Sequence, residues 1–196
     1  MDTVYDTGVL SRYPVPRHRL TRRDYYRLAE AGILGEDDRV ELLEGQLVDM
    51  SAIGPHHALA VDALTELLVL AAAGRAVVRV QNPIVLDDNS EPQPDFTLVR
   101  RPWDGYPHEH PRPSDVYLLI EVADSNLEFD LGAKLELYAR AGIREFWVVD
   151  LTTNRVLVHR NSSDGRYDSI ISVDMSGTLQ VEALPDVTIP VASIVV

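Results

Sequence analysis

Seventeen of the chain's eighteen basic residues are arginine. The one lysine, Lys134, stands in the run Phe129-Asp130-Leu131-Gly132-Ala133-Lys134-Leu135-Glu136-Leu137-Tyr138. Arginine and lysine serve equally on a solvated surface. They differ where a compact ammonium, a flexible stem and a tunable pKa are needed. Upstream, Glu121 interrupts the apolar run Val116-Tyr117-Leu118-Leu119-Ile120-Glu121-Val122. A carboxylate buried there requires a cationic partner or a metal. Asp95 follows Pro94 at the start of another strand-like segment. Two carboxylates on adjacent strands can share a hard divalent cation, with water and phosphate oxygens completing its shell. Asp130 and Lys134 are spaced i and i+4, on one helix face. The plainer alternatives are a structural salt bridge for Glu121, a turn residue for Asp95 and a surface ion pair for Asp130 and Lys134. The apolar Leu131, Leu135 and Tyr138 around the lysine argue against the last.

These residues must be positioned by regular elements. Thr21 with Asp24 forms a capping-box pattern opening a helix from Arg22 to Ala31. Residues 39–50 read as two short strands about Glu44-Gly45. Apolar residues at 59, 60, 63, 64, 67, 68 and 71 predict an amphipathic helix over 57–73. Strands are expected at 76–80, 83–86 and 94–99, with a turn at 87–90 and a loop over 102–114. Residues 116–122 and 145–150 are nearly continuous apolar runs, as in central strands buried on both faces. A helix over 130–141 separates them. Shorter strands follow at 155–160, 167–173 and 178–183. The order predicts an α/β fold with a mixed sheet, residues 1–20 forming an extended arm and 21–196 one domain.

Composition narrows the function. With no cysteine, disulfides, thiolate metal sites and cysteine nucleophiles are excluded. No apolar stretch approaches the roughly 20 residues of a membrane span, and a cytoplasmic location is expected. The net charge of −13 disfavours generic binding to a phosphate backbone. Arg12, Arg17, Arg19, Arg22, Arg23 and Arg27, set against Asp24 alone, form a basic segment on this acidic body.

Taken in order, Pro94-Asp95, Ile120-Glu121-Val122, Asp130, Lys134, Tyr138-Ala139-Arg140-Ala141-Gly142-Ile143 and Glu145-Phe146-Trp147-Val148-Val149-Asp150 resemble the bacterial Uma-type family. Leu20-Thr21, Tyr25, the run Arg39-Val40-Glu41-Leu42-Leu43-Glu44-Gly45 and a helix-opening His57 extend the likeness to residues 20–192. The family is labelled as candidate restriction endonucleases of the PD-(D/E)XK superfamily. The resemblance implies a restriction-endonuclease-like core with a mixed central β-sheet flanked by helices. It implies Asp95 and Glu121 as ligands of Mg²⁺ or Mn²⁺, and Lys134, beside Asp130, as the group that orients the attacking water. Glu41 and His57 match recurring family positions, the first as a further carboxylate, the second as a phosphate or water contact. His56 could take the same role, and Gln81 could be a supporting polar group. The superfamily's lysine usually lies two residues after the glutamate, where this chain has Ala123; Lys134 would serve from the following helix.

The implied activity is DNA phosphodiester hydrolysis. A homodimer is expected, since cutting both strands needs two sites, with the arm and Val187 to Val196 as candidate contacts. A nuclease-like fold acting only as a binding or regulatory module is the competing reading, and hydrolysis of a small phosphate substrate a third. His108 and His110 have His-x-His spacing in the Pro-rich loop, where solvent exposure is the simpler expectation.

Overall fold

The computed structural model describes residues 15–35, 37–101 and 109–195. Arg22–Glu30 forms α1, Val40–Leu43 and Gln46–Asp49 form strands β1 and β2, and Pro55–Ala72 forms α2. Ala76–Val80, Phe96–Arg100 and Val116–Ala123 are β3, β4 and β5. A continuous helical segment follows: α3 (Leu127–Phe129), a π turn (Asp130–Lys134) and α4 (Leu135–Ala141). Glu145–Asp150, Arg155–Ser163 and Arg166–Asp174 are β6, β7 and β8, and Thr178–Val181 and Leu184–Pro190 are β9 and β10.

The two apolar runs of the sequence occupy the middle of a six-stranded sheet ordered β3-β4-β5-β6-β7-β8. Only β5 and β6 are parallel, with Glu121 beside Val148. A parallel pair needs a crossover connection, and the helical segment from Leu127 to Ala141 supplies it. The crossover lies on the face of β5 that carries Leu119, Glu121 and Ala123, where Tyr138, Ala139 and Ile143 pack with Phe146 and Val148. The opposite face, carrying Leu118, Ile120, Val122 and Trp147, is covered by Leu64, Leu68 and Ala72 of α2. Mixed strand directions with helices on both faces confirm the α/β reading.

Local chemistry accounts for the element ends. The Asp24 N–H donates to Thr21 Oγ1 at 3.2 Å and the Thr21 N–H to Asp24 Oδ2 at 3.0 Å, so the capping box forms. Buried Glu91 accepts from Arg22 Nε at 2.6 Å and Tyr26 Oη at 2.5 Å, clamping α1 down. Arg22 of the basic segment is therefore committed to an internal pair, and Arg12 lies outside the described residues. Gly45, at φ +78, lets the chain pass close above the β1–β2 turn. A Cβ there would stand 2.5 Å from Arg19 Cβ.

Four expectations are corrected. Residues 83–86 do not form a strand; Ile84, Val85 and Leu86 donate separately to Pro92, Pro111 and Ser90. The crossover helix starts at Leu127, not Asp130, because it must carry the chain back from the end of β5. Residues 184–190 form β10, paired with β9. Val187, Ile189, Val191, Ile194 and Val195 are then buried in the chain's own core, which removes them as dimer contacts. Residues 1–14 of the expected arm, and His108, lie outside the described residues.

His159 on β7 stacks on Phe146 at 5.6 Å, and its Nδ1 is buried without a hydrogen-bond partner. Burial holds its imidazole below the ordinary 6.5, partly opposed by the backbone of Phe146 and Leu157. The folded state then binds this proton less tightly than the unfolded chain. Stability is present above pH 6.5 and is lost as pH falls below it. Melting curves between about pH 7.5 and about pH 5.5 should show a steeper acid loss for the wild type than for His159→Phe. Equal slopes would show that His159 carries no such linkage.

Candidate active site

In the β4–β5 register Phe96 lies opposite Ile120, so one step further Asp95 lies beside Glu121. Both carboxylates are buried, 9% and 4% exposed. Alternation along β5 turns Glu121 towards the crossover helix. There Lys134 Nζ lies 3.0 Å from Glu121 Oε1 and 3.3 Å from Glu41 Oε1. Lys134 is 6% exposed. The sequence's one lysine is thus a buried cation clamped between two buried carboxylates, not a surface charge.

The π turn decides how the lysine arrives. The Leu135 N–H reaches back to Asp130 O, one residue beyond the α-helical partner, and widens the turn that holds Asp130 and Lys134. The i,i+4 spacing does not produce a direct pair. Among the described residues Lys134 makes no ion pair with Asp130 within 4 Å and contacts Glu121 and Glu41 instead. Phe129, one turn back, presents its ring 5.9 Å from the ammonium.

Asp95 is held from three directions. Oδ2 accepts from the Val122 N–H at 2.8 Å, and Oδ1 accepts from Gln81 Nε2 at 3.2 Å. His57 Nε2 lies 3.1 Å from the same Oδ1. His57 is the third residue of α2, and its Nδ1 donates to the Val122 carbonyl at 3.1 Å. Both ring nitrogens therefore face oxygen acceptors, which favours the imidazolium. Accordingly the Asp95 carboxylate raises the His57 pKa against the effect of burial. Burial pushes Asp95 upward, but His57, Val122 and Gln81 outweigh it and leave its pKa below the ordinary value.

The structure thereby separates the two adjacent histidines. His57 reaches the carboxylates, whereas His56 lines a small cavity of about 30 Å³ with Leu59, Leu151 and Ile194. His110 faces Arg79 Nη2 at 3.3 Å and belongs to another cluster. Tyr138 escaped the sequence reading of site residues. Its hydroxyl donates to Glu121 Oε1 at 2.6 Å. The available signal was its position one α-helical turn after Lys134.

Four carboxylates, Asp95, Glu121, Glu41 and Asp130, thus surround Lys134 and His57. Burial pushes Glu121 up to about 8; Lys134 opposes this and Asp130, Asp95 and Glu41 reinforce it. Burial likewise raises Asp130 to about 6. Burial by itself would lower Lys134, but Glu121, Glu41 and Asp130 hold it above its ordinary value. A proton on Glu121 and a charge on Lys134 at one contact pull against each other. The lysine's charge is the firmer, because Glu41 and Asp130 sustain it whichever state Glu121 adopts. Burial and mutual repulsion therefore favour the protonated forms of Glu121 and Asp130 in the folded chain.

Among the described residues no group of three or more His, Cys, Asp and Glu side chains forms a ready-made metal cage. The oxygen donors nonetheless suit a hard cation of the Mg²⁺ kind, which takes one or two carboxylates and keeps water and phosphate oxygens as its other ligands.

The fold is a mixed sheet whose central strands bring buried carboxylates to a lysine on the crossover helix. A solved structure described as a putative nuclease belonging to DUF820, from Anabaena variabilis ATCC 29413, is similar to it with a TM-score of 0.66. The two share 14% identity over 89% of this chain and 97% of the other. The chain belongs to the Uma2 family, described as "putative restriction endonuclease", which it matches over residues 22–192. No curated protein matches it. The family supports a nuclease function, and the neighbour supports the fold.

Glu121 binds its proton more tightly folded than unfolded, so its burial costs stability as pH rises from 4.5 to about 8. Lys134 limits that cost. Removing one partner of a buried pair typically costs about 3–5 kcal/mol. Lys134→Met should therefore lose about 3 kcal/mol in denaturant unfolding at alkaline pH, and progressively less as pH falls towards 4.5. A pH-independent loss would show that the lysine stem, not its charge, stabilises the site.

Proposed function

We propose that this chain is an endonuclease dependent on Mg²⁺ or Mn²⁺ that hydrolyses DNA phosphodiester bonds at Asp95, Glu121 and Lys134. One observation carries the reading: the single lysine is buried at 3.0 Å from a strand glutamate, with Glu41 and Asp95 beside them. Asp95 and Glu121 would hold the cation, which when bound supplies electrostatic stabilisation of charge building on the phosphoryl oxygens.

The chain's own residues orient the reactants. An ammonium has three donors; one bonds Glu121, and the charge also pairs with Glu41 at 3.3 Å. A further donor would serve a water or a phosphate oxygen. The pKa of Lys134 lies above its ordinary value, so it acts as a fixed donor and positive charge, not as a base. It aligns the water whose oxygen bonds to phosphorus as the P–O bond to the leaving sugar oxygen breaks, with one proton lost by the water and one gained by the leaving group. Tyr138 keeps Glu121 in place by donating to Oε1. His57, fixed by the Val122 carbonyl, stands beside Asp95 and helps hold its carboxylate.

The net charge of −13 favours a second reading, a nuclease fold that binds or regulates without turnover. A substrate duplex would have two strands to cut, and we infer a cytoplasmic homodimer that places two sites on it. Incubation with supercoiled and linear DNA, with and without Mg²⁺ or Mn²⁺, separates the readings. Wild type should cut only with metal. Lys134→Arg, whose planar fork replaces a compact ammonium, should retain its fold and lose about 10²-fold or more in rate. Equal rates would remove Lys134 from the chemistry. Absence of cutting with either metal would leave the binding module. Sedimentation yielding only a 21.9 kDa species would refute the dimer.

A further inference from the structure

Gln81 directly follows β3 and has a backbone φ of +49, in the left-handed region that a residue with a Cβ enters at a cost. Three hydrogen bonds over-determine this conformation. The Gln81 N–H donates to Asp95 O at 2.9 Å, and its side-chain Nε2 donates to Asp95 Oδ1 at 3.2 Å. Its carbonyl accepts from Gln93 Nε2 at 2.6 Å. Gln93 in turn donates its backbone N–H to Glu41 Oε2 at 3.1 Å. The other oxygen of Glu41 faces Lys134. The two glutamines, bonded to one another, thus connect the carboxylate beside Glu121 with the carboxylate that helps hold the lysine.

Glycine at position 81 would satisfy the backbone without strain. Among the described residues the glutamine side chain makes one hydrogen bond, to Asp95 Oδ1. We propose that Gln81 and Gln93 are positioning residues, an amide bracket that fixes Asp95 for a divalent cation and Glu41 for Lys134. This rests on the nuclease reading above. Gln81 orients Asp95 Oδ1, leaving the carboxylate no freedom to rotate towards solvent. The Gln93 backbone N–H holds Glu41 Oε2, and its side-chain amide braces the Gln81 carbonyl, so that the segment entering β4, which carries both bonds, keeps Glu41 Oε1 towards the ammonium. Groups bonded to the ligands of a metal typically change its affinity by about 10–100-fold when removed.

The test uses the full chain, Mn²⁺ titration calorimetry and thermal melts on wild type, Gln81→Gly, Gln81→Glu and Gln93→Ala. Gln81→Gly relieves the left-handed backbone and deletes the amide. It should melt at or above the wild-type temperature yet bind Mn²⁺ about tenfold or more weakly. A structural role alone would move the two readouts together. Gln81→Glu keeps the shape but sets a carboxylate against Asp95 Oδ1. The added charge beside a cation ligand should move Mn²⁺ affinity away from the wild-type value, whereas a role in shape alone predicts unchanged affinity. Gln93→Ala keeps the backbone bond to Glu41 and removes only the brace on the Gln81 carbonyl, so it should lower Mn²⁺ affinity less than Gln81→Gly does. Wild-type affinity in Gln81→Gly and Gln93→Ala overturns the bracket and leaves the nuclease reading standing. A wild type that binds no Mn²⁺ overturns the nuclease reading itself, and the bracket with it.

Discussion

A carboxylate in the central strand of a sheet has to be neutralised, and the site follows from how this chain does so. Glu121 stands on β5 between Ile120 and Val122, 4% exposed, with the crossover helix above it. Desolvating an ion costs several kcal/mol unless a counter-charge and hydrogen bonds meet it. The crossover that joins parallel strands β5 and β6 passes over this face by necessity. It can therefore deliver both partners, Lys134 at 3.0 Å and the Tyr138 hydroxyl at 2.6 Å, to the same oxygen. Glu121 Oε1 accepts both, so Oε2 is the oxygen left for another group.

The remaining architecture adds charge to this point and does not cancel it. The register of β4 sets Asp95 alongside, and the β1–β2 hairpin brings in Glu41. The π turn holds Asp130 at the same depth. A protein selected for stability alone would replace such a cluster with apolar residues at little cost or some gain. The overall acidity does not contradict a polyanionic substrate at such a site. Net charge acts on long-range approach and is screened beyond about 8–10 Å at physiological salt. A bound cation and a fixed ammonium act at contact distance.

Much of the fold was legible because it rests on local pattern. The capping box at Thr21 and Asp24 is written in adjacent residues and forms as read. The apolar runs 116–122 and 145–150 could be stable only where both faces are covered, and they became the parallel centre of the sheet. Residues 83–86 misled because a β-rich composition does not disclose the partner. Their N–H groups turn to Pro92, Pro111 and Ser90, none of them part of a ladder. The end of the chain misled for a related reason. Its apolar residues suggested an exposed contact, while β9 and β10 fold them onto the core as a hairpin.

For the site, residue type was decisive in the sequence and placement was not. The sequence by itself determined that a glutamate interrupts a buried strand and that a single lysine follows it on a helix; both hold in any fold that keeps β5 central. Tertiary structure decided the pairing. The i,i+4 spacing put Lys134 and Asp130 on one helix face, and the π turn and the crossover direct the lysine to Glu121 and Glu41. It also chose His57 over His56, since only the third residue of α2 meets the Val122 carbonyl and Asp95. Tyr138 and Gln93 became visible only there. Side-chain chemistry is local to the residue, but the distance over which charges and hydrogen bonds act is set by strands and helices far apart in the chain.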